Sequence, residues 1–385
     1  MNDPLKNYRK RFRKWRNNRR LAEEAARYHR AFVARNLRVP AEQEIGALLR
    51  ARLPQVRSKS KGALRILAIF HHYNWERDAL LPSLLRFGSV HHYDWAPEFD
   101  HQAKGWHSGP KQRMNEALVG RVRRWAAEEG GDVIFCYLSG ENVYPETVEE
   151  MASLGVPMVN LALNDKESFV GRIRDGQAMG ARDICRHFHL CWTSTEDALE
   201  KYCVEGAVPL YLPEGADPLV HRPYDAARTI DVSFVGQCYG NRPEIIERLR
   251  RAGIGVEAYG FGWPNGPLTT EEMVRLYSRS RISLGFGGVD GLDATYCLKG
   301  RDFEIPMSGG LYLTEYHPEL ERCYRLGEEI VTYRDVDELL ETIRVLLADP
   351  DKAEMIRLAG YRRALAEHTW EMRFDKVFRL LGVLA

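Results

Sequence analysis

Short apolar runs recur through most of the chain, and amphipathic helical patterns fill the gaps between them. The runs are Arg65–Phe70, Ser89–Tyr93, Val133–Tyr137, Met158–Leu163, His187–Trp192, Pro209–Leu212, Asp231–Val235, Gly255–Tyr259, Ile282–Phe286 and Leu311–Leu313. Helical patterns lie at Glu76–Arg86, Lys111–Glu129, Pro145–Leu154, Glu196–Glu205, Pro243–Arg251 and Thr269–Ser280. Strands that alternate with helices at this spacing form parallel sheets covered on both faces, and such strands read as continuous apolar stretches. Ligands of these sheets bind beyond the carboxyl ends of the strands. The residues just after each run are therefore the functional candidates.

A chain of 385 residues is long enough for two such units. The segment Pro213-Glu214-Gly215-Ala216-Asp217-Pro218-Leu219-Val220-His221-Arg222-Pro223 is polar and punctuated by Pro and Gly, as a connection is. It sets expected domains at 1–61, 62–212 and 213–385, the first a basic helical arm.

In the first α/β domain, His71 and His72 follow the first run. A histidine there suits deprotonation of a hydroxyl, because its pKa lies near working pH; hydrogen bonding to the loop is the plainer role. His91-His92-Tyr93-Asp94-Trp95 echoes the motif, but neighbouring histidines on a strand face opposite ways, so no metal site is expected. Glu141, after the third run, and Asp165, after the fourth, are the carboxylates placed to face a ligand. Helix capping competes for Asp165.

In the second domain, Gly236 opens a glycine loop that ends at Arg242 and Pro243, suited to close approach of a phosphate. Gly260-Phe261-Gly262-Trp263-Pro264 offers Phe261 or Trp263 to stack on a base, or to pack beneath the loop. The densest stretch is Leu298 to Glu315, where Lys299 and Arg301 precede Glu304 and the pair Gly309-Gly310 precedes the next run. Two cations at a helix start suit a diphosphate, and a carboxylate one turn on suits ribose hydroxyls. Asp335-Val336-Asp337 and Asp349-Pro350-Asp351 stand before helical runs and read as helix starts, not metal ligands.

The Leu298–Glu315 stretch resembles the C-terminal signature of CgeB-like (spore maturation type) glycosyltransferases, of the two-domain class called GT-B. The resemblance continues through Glu328-Glu329-Ile330, Asp337-Glu338-Leu339-Leu340, Gly360-Tyr361-Arg362-Arg363 and His368-Thr369-Trp370, and the 213–223 segment is similar to the link between GT-B halves. It implies two Rossmann-like domains facing across a cleft, with the last helix crossing back to the first. It also implies sugar transfer from a nucleotide-diphosphate sugar to a glycan, lipid-linked or protein acceptor, without metal or other cofactor. Lys299, Arg301 and Arg242 would then hold phosphates, and Glu304 the ribose. The Glu-x7-Glu pair of the large retaining family is broken at Tyr296. A nucleotide-sugar 2-epimerase and a non-catalytic glycan-binding or assembly protein share the architecture and stay open.

Charge is lopsided. Residues 1–61 hold 18 Lys+Arg against 5 Asp+Glu, and the remainder 37 against 49. Leu5, Tyr8, Phe12 and Trp15 fall at helical spacing among the cations, as on a helix lying at an anionic membrane surface. Packing on the acidic body or on a second subunit's arm competes with that reading, and no nucleic-acid-binding module is evident. Without an apolar run near 18 residues or a secretory signal, the expected location is cytoplasmic, peripheral to the membrane through residues 1–36. Seven scattered cysteines read as reduced thiols.

Overall fold

A computed structural model describes residues 4–73, 75–289 and 292–385, apart from the side chains of 4–11, 13, 14, 129, 289 and 292–295. Leu5 and Tyr8 of the aromatic stripe, the cations Lys6, Arg9, Lys10, Arg11, Arg13 and Lys14, and Asn74 lie outside the described side chains.

The chain divides into two units, Met1–Pro213 with Arg373–Ala385, and Glu214–Met372. The first holds α1 (Pro4–Ala34), α2 (Glu42–Arg52), β1 (Leu64–Ile69), α3 (Glu76–Leu85), β2 (Gly88–Tyr93), α4 (Pro110–Glu129), β3 (Val133–Cys136), α5 (Pro145–Ala152) and β4 (Met158–Ala162). After these come α6 (Asp165–Ser168), β5 (Ile173–Arg174), β6 (Gln177–Ala178), β7 (Leu190–Thr193), α7 (Leu199–Val204) and β8 (Pro209–Tyr211). Its sheet runs β2-β1-β3-β4-β7-β8 with every pair parallel. Because alternate residues of a strand face opposite ways, Leu67, Ile69, Ile134 and Cys136 build the core on one face. On the other, Phe135 and Trp192 pack edge-on against Phe374, with ring centroids 5.2 and 5.6 Å apart.

The second unit holds β9 (Ile230–Val235), α8 (Arg242–Arg251), β10 (Val256–Tyr259), α9 (Thr270–Arg279), β11 (Ser280–Leu284), β12 (Gly288–Val289), β13 (Leu292–Tyr296) and α10 (Arg301–Met307). It continues with β14 (Tyr312–Glu315), β15 (Val331–Tyr333), α11 (Val336–Ala348) and α12 (Pro350–Glu367). A final helix, α13 (Trp370–Leu380), carries the chain back into the first unit at Arg373. The sheet order is β10-β9-β11-β14-β15, again all parallel. Helix starts follow side-chain chemistry. Thr269 accepts the Glu272 N–H while the Glu272 carboxylate takes the Thr269 N–H. Asp335 accepts the N–H groups of Asp337 and Glu338, and Asp349 that of Lys352, so both acidic triplets cap helices.

Two details depart from the sequence reading. The run expected at His187–Trp192 becomes a strand only from Leu190, because Cys185–His187 form a 3-10 turn. The Gly-Asp-rich loop before Leu298 contains a two-stranded ribbon, β12 with β13. Among the described residues no helix is long and apolar enough to cross a membrane, and the seven cysteines are all unbridged.

Candidate functional site

At the carboxyl end of the second unit's sheet, β9 stops at Gly236 and α10 starts at Arg301. A Cβ on Gly236 would sit 2.8 Å from Phe234 Cζ and 3.3 Å from Arg301 Nη1, so only glycine leaves this approach open. Arg242, at the first turn of α8, is buried in a wall of Tyr239, Phe234 and Phe286, with its guanidinium 4.1, 5.5 and 5.6 Å from those rings. Burial, with Arg301's charge next, lowers the Arg242 pKa to about 10. It donates to the Gln237 carbonyl at 3.1 Å. Arg301 moves the other way: burial opposes its charge, but Tyr312, Tyr277, Glu304 and Asp302 outweigh it. Two guanidiniums thus address one glycine loop.

The start of α10 is tied down by its own residues. Asp302 accepts the Lys299 N–H at 2.7 Å and the Tyr312 hydroxyl at 2.6 Å, so one early amide is already satisfied. Lys299 Nζ is 3.5 Å from the Gly288 carbonyl.

Glu304 lies one turn into the helix beside a residue that the sequence reading left out, Glu214. A Cβ on Gly300 would be 3.0 Å from Glu304 Oε1 and 3.4 Å from Glu214 Oε2. Both carboxylates are buried. Burial first, and then the charges of Glu304 and Asp302, push the Glu214 pKa up to about 8. His221 completes the group, with Nε2 3.9 Å from Glu304 Oε1. Its Nδ1 accepts the Asp217 N–H, which leaves the proton on Nε2.

The remaining candidates separate. Trp263 is buried, donates Nε1–H to the Gly236 carbonyl at 2.8 Å and packs on Phe234, so it supports the loop from beneath. Phe261 is 67% exposed and is the ring available for stacking. Gly309 lies past the other end of α10, about 10 Å along the axis from Arg301. Its φ of +68° ends the helix, and Arg357 donates to its carbonyl, so its place is in the turn and not beside Gly236.

In the first unit, the loops after β1, β3 and β4 enclose a cavity of 620 Å³ that Tyr73, Glu76, Glu141, Asn164, Asp165 and Arg172 help to line. His71 borders it at the lining residue Tyr73, the two rings 4.5 Å apart, with Nδ1 2.9 Å from Asp94 Oδ1. Asp94 keeps a lowered pKa: burial works against its charge, and hydrogen bonds from Ala96, His71 and His72 prevail. His72 is spent differently, since its Nδ1 accepts the Arg77 N–H inside the first turn of α3. Glu141 lines the cavity and pairs with His107 Nε2 at 2.7 Å. Asp165 also lines it, but its carboxylate takes the Tyr202 hydroxyl at 2.7 Å and a bond from Thr193, and burial raises its pKa. Lys111, fully buried, holds the Gly140 carbonyl at 2.5 Å and so braces the Glu141 loop.

Sequence reasoning did not single out Asp94, Lys111, Arg172 or Glu214 as site residues. The one available signal was position: Asp94 follows a strand, as the chosen residues do. Among the described residues no group of three or more His, Cys, Asp or Glu could hold a metal ion.

Residues 242–379 match a family described as glycosyl transferase-like. The fold of the chain is that of GT-B structures. Sucrose-phosphate synthase from Thermosynechococcus elongatus superposes with a TM-score of 0.57 at 13% identity, covering 83% of this chain and 99% of its own. A glycosyltransferase from Rickettsia africae gives 0.58 at 9% identity, covering 83% and 97%. The Anabaena protein HepE, solved in complex with UDP and glucose, gives 0.53 at 10% identity, covering 82% and 100%. At such identities the likeness is one of fold. Among curated protein sequences none matches.

Proposed function

We propose that this chain transfers a sugar from a nucleotide-diphosphate sugar to a hydroxyl acceptor, without a metal ion. The observation that carries this reading is that Arg301, 3.3 Å from the place of a Cβ on Gly236, and Arg242, bonded to the Gln237 carbonyl, meet at one glycine loop. Two guanidiniums, one of them already depressed by burial and by the other's charge, are stabilised by a ligand bearing two negative charges. A diphosphate leaving group has that charge, and the same pair neutralises what develops as its bond to the sugar breaks. Lys299 adds a third cation, Glu304 receives ribose hydroxyls and Phe261 stacks on the base. The matching family and the UDP bound to HepE support the nucleotide assignment.

In the first unit, the 620 Å³ cavity takes the acceptor. His71 accepts the hydroxyl proton on Nε2, with Asp94 fixing the tautomer and steadying the imidazolium. Glu141 orients the acceptor, and Asp165 holds the cavity wall. A glycan, a lipid-linked sugar or a protein side chain each meets this requirement, in a cytoplasmic setting. The CgeB-like subtype rests on the residues quoted above.

Calorimetric titration with UDP and other nucleoside diphosphates tests the donor site. Tight binding in the native protein, weakened in Arg301→Ala and Glu304→Ala with the fold intact, is expected; unchanged affinity would remove the assignment. Incubation with donor alone distinguishes the 2-epimerase alternative, which turns donor over without acceptor. A non-catalytic binder would neither hydrolyse nor transfer any sugar nucleotide.

A further inference from the structure

We propose that the first half of α1 is a membrane-docking element that lies in the surface of an anionic bilayer through Phe12 and Trp15. α1 is continuous from Pro4 to Ala34, and its second half is fastened to the first unit. Leu21, Glu24 and Tyr28 are its buried positions there. Glu24 meets the buried Lys201 at 2.8 Å, the Tyr28 hydroxyl donates to Glu205 at 2.6 Å, and Arg35 donates to the Val204 carbonyl at 2.8 Å.

These contacts fix the helix about its axis. At roughly 100° per residue, Phe12 and Trp15 point roughly 120–180° away from Leu21, Glu24 and Tyr28. The aromatic line therefore faces away from the body to which the helix is fastened. Phe12 and Trp15 are 52% and 55% exposed, and their rings lie 5.8 Å apart as one apolar patch. This geometry disfavours packing of the stripe on the chain's own acidic surface.

Charge identifies the occupant. Residues 6–20 contain nine Lys and Arg and no acid, so the partner is anionic. Arg19 lies over the Trp15 ring at 5.6 Å and Arg16 is exposed beside it. An indole and a phenyl ring flanked by guanidiniums match a boundary where acyl chains meet anionic headgroups, because the rings enter the apolar zone while the cations stay at its surface. A polyanion without an apolar layer would leave the rings in water. The inference is independent of the transfer reaction, and its test reads binding alone.

The test is flotation of the full chain with vesicles of phosphatidylcholine, with and without about a third phosphatidylglycerol. Recovery with the anionic vesicles only is expected. Phe12→Ser with Trp15→Ser should lower partitioning on the order of tenfold. Arg16→Gln with Arg19→Gln should lower it about thirtyfold, at about fivefold per arginine. Val33→Ser, on an exposed position of the fastened half, should change nothing. Circular dichroism checks folding, and Trp15→Ser alone serves should the double variant fold poorly. Equal recovery from both vesicle types, or no loss in the aromatic variants, overturns the proposal. So does binding of single-stranded RNA that the aromatic variants leave intact without vesicle binding, or a dimer that depends on Phe12 and Trp15 in place of it.

Discussion

The two units present the same architecture at the same edge, the carboxyl ends of a parallel sheet, yet they treat charge in opposite ways. In the second unit ionisable groups are buried at the carboxyl end of the sheet: Arg242 is lowered by burial, Arg301 is sustained by its neighbours, and Glu214 is pushed up to about 8 beside Glu304. In the first, several groups at the cavity region are already paired, as with His71 and Asp94, His107 and Glu141, or Asp165 and Tyr202, while Arg172 of the lining is exposed. A site that stores unbalanced charge is completed by a charged ligand, whereas a site of paired groups suits a neutral one whose proton must be moved. The proposed function follows this contrast, with diphosphate in one unit and hydroxyl in the other.

The largest effect expected is on turnover. His71→Ala should lower kcat by about 10²–10⁴ while nucleotide affinity stays as in the native protein, because the proposed base and the proposed diphosphate site lie in different units. Parallel loss of nucleotide binding, measured by calorimetry, would break the division. Arg301→Ala should weaken diphosphate binding by about 2–3 kcal/mol, some thirty- to two-hundredfold.

The buried Glu214 makes stability depend on pH. Its carboxyl keeps its proton in the folded chain up to about 8 but loses it in the ordinary carboxylate range when unfolded. The folded state therefore binds more protons between those values, and stability falls as pH rises through that window. Urea unfolding at about pH 5 and about pH 8 should show a loss on the order of 2 kcal/mol that Glu214→Gln abolishes. An unchanged slope in the variant would place the titrating group elsewhere. The smallest effect is Phe261→Ala, which should cost about 1 kcal/mol in nucleotide affinity and leave stability untouched, since the ring is exposed.

The strands were legible because strands buried on both faces leave unbroken apolar runs, as Val133–Cys136 shows with all four residues buried. Pairs such as β5 and β6, two residues each, carry no such signature, and the hairpin that brings Arg172 to the cavity went unseen. Within the glycine-aromatic loop, sequence left Phe261 and Trp263 equivalent. The Gly236 carbonyl separates them by capturing one indole N–H, a contact between segments 27 residues apart. Glu214 was hidden for a related reason: an acidic residue in a polar, Pro-rich connection reads as solvated, and only tertiary burial makes it a site residue.

The first unit is built from two pieces of chain, and the second interrupts it between Pro213 and Arg373. Phe374 and Phe378 pack edge-on against Phe87, and the Ala385 N–H donates to the Lys59 carbonyl, so residues 373–385 are internal mortar of the first unit. Removal of residues 373–385 would keep the unit Glu214–Met372 whole and deprive its neighbour of a hydrophobic keystone. Damage within residues 373–385 would thus be felt in the unit that residues 1–213 build.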